Sequence, residues 1–196
     1  MRTLISISRA IDRLADRLGD LVMYLVVITI VVGFGNVVLR YVGEVTGRRL
    51  TSNFFIELQW YLYSLIFLFG FAYILKNNIN VRVDFWYANL TQKQKAWIDL
   101  IGHVISLIPF CIIGLWATYS PVLRSWGRLP DGSWGTWELS PDPSGLPRAP
   151  IKTMIIVAFV LLLLQAISEI IKLIAILRDH PEFVEVAHRD APLRVE

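Results

Sequence analysis

Cysteine is nearly missing from this chain: Cys111 is the one thiol in 196 residues. That excludes an intrachain disulfide and a cysteine-based zinc site. Cys111 stands in an apolar run and reads as a small membrane-embedded residue. Histidine is scarce as well. Of the three histidines, His180 and His188 lie in the charged C-terminal segment, and only His103 falls in an apolar run. A four-helix membrane cytochrome needs a pair of axial ligands at membrane depth, so the histidine supply speaks against one, and no cofactor is expected. There is no glycine-rich phosphate loop, no metal-ligand cluster and no Ser/His/Asp arrangement suggested by position, so no enzymatic chemistry is expected. No internal repeat is evident, and Pro109 is the one mid-span proline. Repeated halves and broken helices at the bilayer midplane are marks of secondary transporters, so an autonomous transport site has little room. The net charge is only +3. Its basic residues flank apolar spans, where positive charge orients a membrane protein rather than binding nucleic acid.

What the chain has in quantity is apolar residues. They make up 55% of the sequence, and the mean hydropathy is +0.55. That is too apolar for an ordinary soluble domain. A span needs about 20 apolar residues, and four runs qualify: about 21–42, 54–75, 96–119 and 151–176. The expected fold is all-α and integral to the membrane, a single four-helix domain over residues 1–178 followed by a charged tail over 179–196. The run from Leu21 is too long for a signal h-region and no small-residue cleavage site follows it, so the first span is expected to remain in the mature protein. Residues 1–20 interleave Arg2, Arg9, Arg13 and Arg17 with Asp12, Asp16 and Asp20. Ile5, Ile11, Leu14 and Leu18 recur at roughly helical spacing. This predicts an amphipathic helix on the membrane surface or a solvated helix end, running into the first span.

Gly33 and Gly35 offer close-approach points to a neighbouring helix. Arg40 and Glu57 are expected at similar depth on two antiparallel spans, paired with each other or with another protein. Trp60, Tyr61 and Tyr63 resemble an interfacial aromatic belt. Beyond the second span, Val81-Arg82-Val83-Asp84-Phe85-Trp86 reads as a short re-entrant or interfacial element, and Thr91 reads as a helix N-cap. Asp99 and His103 share a helix face at i, i+4. They are read as a polar face tied to the preceding loop rather than as a proton relay. Residues 120–150 hold six prolines and cannot be one long helix. Trp126, Trp134 and Trp137 are concentrated there, either as interfacial anchors or as contacts to a partner. Glu169 and Lys172 are expected to support each other at the exit end of the last span. Twelve of the 19 Lys and Arg residues fall on the side of the N-terminus, the 76–95 loop and the tail, and seven on the other. The first side is therefore expected to be cytoplasmic, with both termini inside.

Three segments together carry a family resemblance. They are Glu57 opening the second span with aromatics after it, Val81-Arg82-Val83-Asp84 beyond that span, and Ser140-Pro-Asp-Pro-Ser-Gly-Leu-Pro147-Arg-Ala-Pro-Ile-Lys152 leading into an apolar run that ends at Gln165. Over roughly residues 10–178 the chain resembles the small (DctQ-type) permease subunit of tripartite ATP-independent periplasmic, or TRAP, transporters. It departs from the pattern at Asn77-Asn78-Ile79-Asn80, where a Gly or His is expected. The resemblance implies a bacterial inner-membrane assembly. In it a periplasmic protein binds a substrate, typically an organic acid anion, and a large permease subunit carries the substrate and sodium sites in an elevator-like movement. The small subunit would widen the fixed scaffold, with Glu57, Arg82 and Asp84 as anchoring residues. Arg40 and Trp60 join them as interface candidates, and the three loop tryptophans are candidate contacts to the binding protein. Read from the residues alone, two other roles stay open. One is a small self-sufficient transporter or channel with Asp99, His103 and Glu169 along its path. The other is a membrane anchor for a redox complex.

Overall fold

Residues 2–46 form one uninterrupted helix in the computed structural model, which describes residues 2–79, 87 and 89–179. This helix, α1 (Arg2–Thr46), is about 67 Å long at 1.5 Å per residue, more than twice the hydrocarbon thickness of a bilayer. It is followed by α2 (Asn53–Lys76), α3 (Gln92–Gly102), a π-helical segment (His103–Leu107), α4 (Ile108–Ser125) and α5 (Arg148–Leu177). Among the described residues, four helical stretches are long and apolar enough to cross a membrane, with α3, the π segment and α4 acting as one. The expected all-α architecture with four spans is the observed one. The 81–86 element, with Arg82 and Asp84, and the tail from residue 180 lie outside the described residues.

The N-terminal segment is not a separate surface helix. Ile5, Ser8 and Ala15 are buried, and with Asp12 they recur at 3-4-3 spacing, which makes one stripe on a helix face. That stripe packs on α5, where Ser8 and Ser168 share a 2.7 Å hydroxyl contact. Farther along, Gly19 lies against the ring of Tyr73 in α2, so closely that an added Cβ would overlap it. Small residues let helices approach in this way. A second such contact joins α4 to α5, with Gly114 against Phe159. Among the described residues Gly19 and Gly114, rather than Gly33 and Gly35, sit where an added Cβ would overlap a neighbouring helix. Gly33 meets Gln59 at ordinary contact distance, and nothing lies within 4 Å of a Cβ placed at Gly35.

α5 packs against every other helix, whereas α3 and α4 pack mainly on α5. The interior is therefore a seam along α5 rather than a closed four-helix core. α5 carries more of the buried residues than any other helix, including Gln165, Ala166, Ser168 and Glu169.

The helix ends follow from local chemistry. Gly47 takes φ +66° just past α1, and the Arg48 N–H donates back to Gly43 O at 3.0 Å, the geometry of a Schellman cap. At the end of α2, Asn78 takes the left-handed position with φ 53°. The Asn78 and Ile79 N–H groups donate to Leu75 O and Ile74 O, each at 3.2 Å. Asparagine is the non-glycine residue that best tolerates this conformation, so the Asn77–Ile79 stretch still makes a regular cap. Thr91 caps α3 in a full capping box with Gln94, as its position predicts. The π segment ends just before Pro109. A proline in a helix lacks an N–H and clashes with the carbonyl four residues back. The wider π turn at 103–107 absorbs that conflict without breaking the span.

Candidate functional site

Asn53, Glu57 and Tyr61 stand four residues apart, so they share one face of the first two turns of α2. All three grip the segment that precedes α5. Asn53 Nδ2 donates to Pro143 O at 3.2 Å, and the Tyr61 hydroxyl donates to Pro147 O at 2.6 Å. Between them Glu57 is buried. Its Oε1 accepts from the Ser140 hydroxyl, and its Oε2 accepts from the Leu146 backbone N–H. A Cβ on Gly145 would collide with Ser140 and approach Glu57 Oε2 to 2.7 Å, so only glycine lets the loop backbone close over the carboxylate. A carboxylate accepts only, and here each oxygen has a donor, which is what makes its burial tolerable.

The expected Arg40–Glu57 pair is not formed. Arg40 is exposed, and the Glu57 oxygens are engaged by Ser140 and Leu146. The cause is helix register. Contacts of Gly19 with Tyr73 and Gly33 with Gln59 set α1 and α2 antiparallel so that Glu57 lies level with about residue 35, while Arg40 lies level with the start of α2. Five residues of helix separate the two charges, about 7 Å along the axis. Trp60 is exposed on α2, its ring 5.4 Å from that of Tyr61.

A second tether holds the other end of the 126–147 loop. Glu138 Oε2 accepts from the Ser125 hydroxyl at 2.7 Å and pairs with Lys152. The Glu138 N–H donates to Ser125 O at 2.7 Å, and the Arg148 N–H donates to Glu138 O at 2.9 Å. Trp126 Nε1 donates to Thr153 Oγ1 at 2.8 Å, and its ring lies 5.7 Å from that of Trp137. Trp134 is the most exposed of the three at 64%. Two of the three tryptophans thus pack in a tied loop, and Trp134 projects from it.

The Lys152 ammonium, then the Ser125 hydroxyl, hold the Glu138 carboxyl below its usual range. A group whose pKa is lowered on folding stabilises the fold at neutral pH, and that contribution disappears as pH falls from the ordinary carboxylate range through the lowered value. Acid titration followed by tryptophan emission is expected to show a loop transition below the ordinary carboxylate range. Glu138→Gln is expected to remove the transition, and its persistence in that variant would assign it to another group.

At the opposite end of the bundle lies a denser polar cluster. Lys172 Nζ sits 2.9 Å from Asp12 Oδ2 and 2.7 Å from Glu169 Oε1. Gln165 Nε2 donates to Asp12 Oδ1 at 3.0 Å and to Glu169 Oε1 at 2.9 Å. The Ser168 hydroxyl lies 2.9 Å from Asp12 Oδ1. The Glu169–Lys172 contact matches the sequence expectation, and Gln165 stands four residues from Glu169 on the same face, but Asp12 and Ser8 of α1 are additions that the sequence does not point to. Lys76 pairs with Asp16 one turn away. Among the described residues, Glu169 therefore faces a lysine and the Gln165 amide rather than an open path. Asp99 Oδ2 accepts from the Tyr87 hydroxyl at 2.7 Å, and His103 Nδ1 lies 2.6 Å from Asp99 O. Since a carbonyl only accepts, Nδ1 carries the proton. Asp99 is thus tied to the loop before α3, and its carboxylate faces Tyr87.

No group of three or more His, Cys, Asp or Glu among the described residues has metal-site geometry. The polar side chains instead fasten loops and helices of the same chain. That arrangement suits a structural membrane component, and comparison with known proteins agrees. No curated protein and no solved structure matches the chain significantly. A family model described as "Tripartite ATP-independent periplasmic transporters, DctQ component" matches residues 29–175, a stretch that takes in the Glu57 clamp, the loop tethers and most of α5. The chain belongs to the DctQ family, a multi-pass accessory membrane component of TRAP transporters and not an enzyme.

Proposed function

We propose that this chain is the static scaffold subunit of a sodium-coupled, binding-protein-dependent importer of organic acid anions in a bacterial inner membrane. It packs against the large permease subunit and has both termini in the cytoplasm. The observation that carries this reading is the uneven burial of the spans. In the most apolar window of each span, a third of the residues are buried in α5, but none in α1 and 6% in the α3–α4 stretch. A self-contained transporter encloses its substrate path. Here the polar groups are used in holding the bundle rigid, and the broad apolar faces look outward.

A fixed partner for a moving transport domain needs that combination. It must resist deformation, which the Glu57 clamp and the Lys172 cluster supply. It must also offer wide apolar area in the bilayer, where packing rather than water exclusion drives association. The orientation rests on the twelve-to-seven distribution of basic residues. It places the loop bearing Trp126, Trp134 and Trp137 in the periplasm, within reach of a soluble binding protein. Arg40 and Trp60, both exposed near that side, are candidates for the contact with the large permease subunit.

The test is capture of the tagged chain after co-expression with the large permease subunit in a mild detergent. A stoichiometric complex is expected. Single cysteines in a Cys111→Ala background check the orientation: Ser133→Cys is expected to react with an impermeant maleimide on intact cells, and Gln92→Cys only after lysis. A chain that purifies alone as a homo-oligomer, or a reversed labelling pattern, overturns the reading.

A further inference from the structure

The loop end of α4 carries a groove that none of the tethers above uses. It is about 220 Å³ in volume and is lined by Tyr119, Ser120, Leu123, Arg124, Arg128 and Leu129, with Pro130 at its edge. Both arginines are exposed, and neither forms an ion pair with a described carboxylate. The nearby carboxylates are committed elsewhere. Asp131 folds back on its own turn, accepting from the Ser133 N–H at 3.0 Å and the Ser133 hydroxyl at 2.7 Å. Glu138 is held by Ser125 and Lys152. The backbone that carries Arg128 is fixed: its N–H donates to Leu123 O at 3.0 Å, and it bridges to Trp134.

We infer that this groove binds the phosphodiester of an anionic phospholipid. Guanidinium groups match phosphate oxygens in paired donation and are weakly hydrated, which suits two unpaired arginines to a phosphodiester. Three features point to a lipid rather than a soluble anion. Tyr119 and Leu123 belong to the last turns of a helical stretch long and apolar enough to cross a membrane, so one wall of the groove continues a spanning segment. Each arginine has apolar neighbours in the groove, Arg124 beside Tyr119 and Leu123 on the helix and Arg128 beside Leu129 and Pro130 past its end, which is the mixed lining a phospholipid headgroup with its acyl chains needs. Finally, Tyr119 is 57% exposed on that wall, so no other helix of the described chain covers it. Arg124 also sits in the last turn of α4, where a cation offsets the helix dipole. A neighbouring phosphate therefore needs the second arginine, and Arg128 supplies it.

Native mass spectrometry of the full chain, released from detergent containing either phosphatidylglycerol or phosphatidylcholine, tests the inference. Wild type is expected to retain phosphatidylglycerol in preference to phosphatidylcholine. Arg124→Gln/Arg128→Gln is expected to weaken that retention by roughly tenfold or more. Arg124→Lys/Arg128→Lys, which keeps charge but not paired donation, should fall between. Arg48→Gln/Arg49→Gln, outside the groove, serves as the control for general charge and is expected to behave as wild type. Unchanged retention in the glutamine variant overturns the inference, as does an equal loss in the control. Competition by millimolar inorganic phosphate without preference between the two lipids assigns the groove to a free anion instead. Loss of binding-protein capture with lipid retention intact assigns it to a protein contact. The inference does not depend on the transporter reading.

Discussion

Glu57→Ala is expected to release the loop before α5 while leaving the four helices in place. Two donors lose their acceptor at once: the Ser140 hydroxyl and the Leu146 N–H. A buried donor left unmatched is more costly than a hydrogen bond simply absent. The hydroxyl can rotate to another acceptor or to water, but the backbone N–H cannot, so the Leu146 amide is the place to look. Hydrogen exchange at Leu146 should accelerate by on the order of a hundredfold relative to wild type, since local opening is what exchange reads. Amides in the middle of α5 should not change. Glu57→Gln separates the two contacts. Its single carbonyl oxygen must turn to Leu146, and Ser140, which can accept as well as donate, is left to the amide NH2. The expected acceleration is smaller, about tenfold.

The same experiment distinguishes a clamp from an anchor. If Leu146 exchange is unchanged in Glu57→Ala while capture of the large permease subunit falls, Glu57 acts at the subunit surface rather than on its own loop. If both change together, loop geometry is what the partner recognises. Gly145→Ala gives an independent reading, because it leaves the carboxylate in place and wedges the loop away by volume alone. It should reproduce the exchange change of Glu57→Ala if closure over the carboxylate is the operative feature.

The spans were legible because a bilayer demands long apolar runs, and these survive without knowledge of packing. Glu57 stood out for the same reason in reverse, as a carboxylate at the edge of such a run. Its partners were not legible. Ser140 and Leu146 lie more than eighty residues away, and the choice between them and Arg40 depends on the α1–α2 register, which is set by the contact of Gly19 with Tyr73. The N-terminal segment misled differently. Its arginines and its Ile5-Ile11-Leu14-Leu18 spacing suggested a surface helix, and they masked the second stripe of Ile5, Ser8, Asp12 and Ala15. That stripe of small and polar residues was the available signal. Only the apposed Ser168 and Lys172 on α5 give it meaning.

Lys172→Met is expected to detach that N-terminal half of α1. Lys172 is the cation between Asp12 and Glu169, and its side chain is only 17% exposed. Without it, two carboxylates face each other across the Gln165 amide in a poorly solvated seam. Removing one partner of a buried pair typically costs about 3–5 kcal/mol, which for a chain of this size corresponds to roughly 6–20 °C in the unfolding midpoint. Thermal unfolding in detergent gives the size of the loss, and a cysteine pair gives its location. Ser8→Cys/Ser168→Cys in a Cys111→Ala background should form a disulfide readily, because the serine hydroxyls lie 2.7 Å apart. Adding Lys172→Met should sharply slow its formation. The decisive variant is the neutral triple, Asp12→Asn/Glu169→Gln/Lys172→Met. It removes every charge while keeping nearly every shape, and replacing all members of a buried ionic group together is far less damaging than orphaning one. Recovery of most of the lost stability and of disulfide formation identifies charge compensation as what seats α1 on α5. If the triple variant is as unstable as Lys172→Met alone, the aliphatic packing of the lysine stem holds the seam, and the charges are incidental to it.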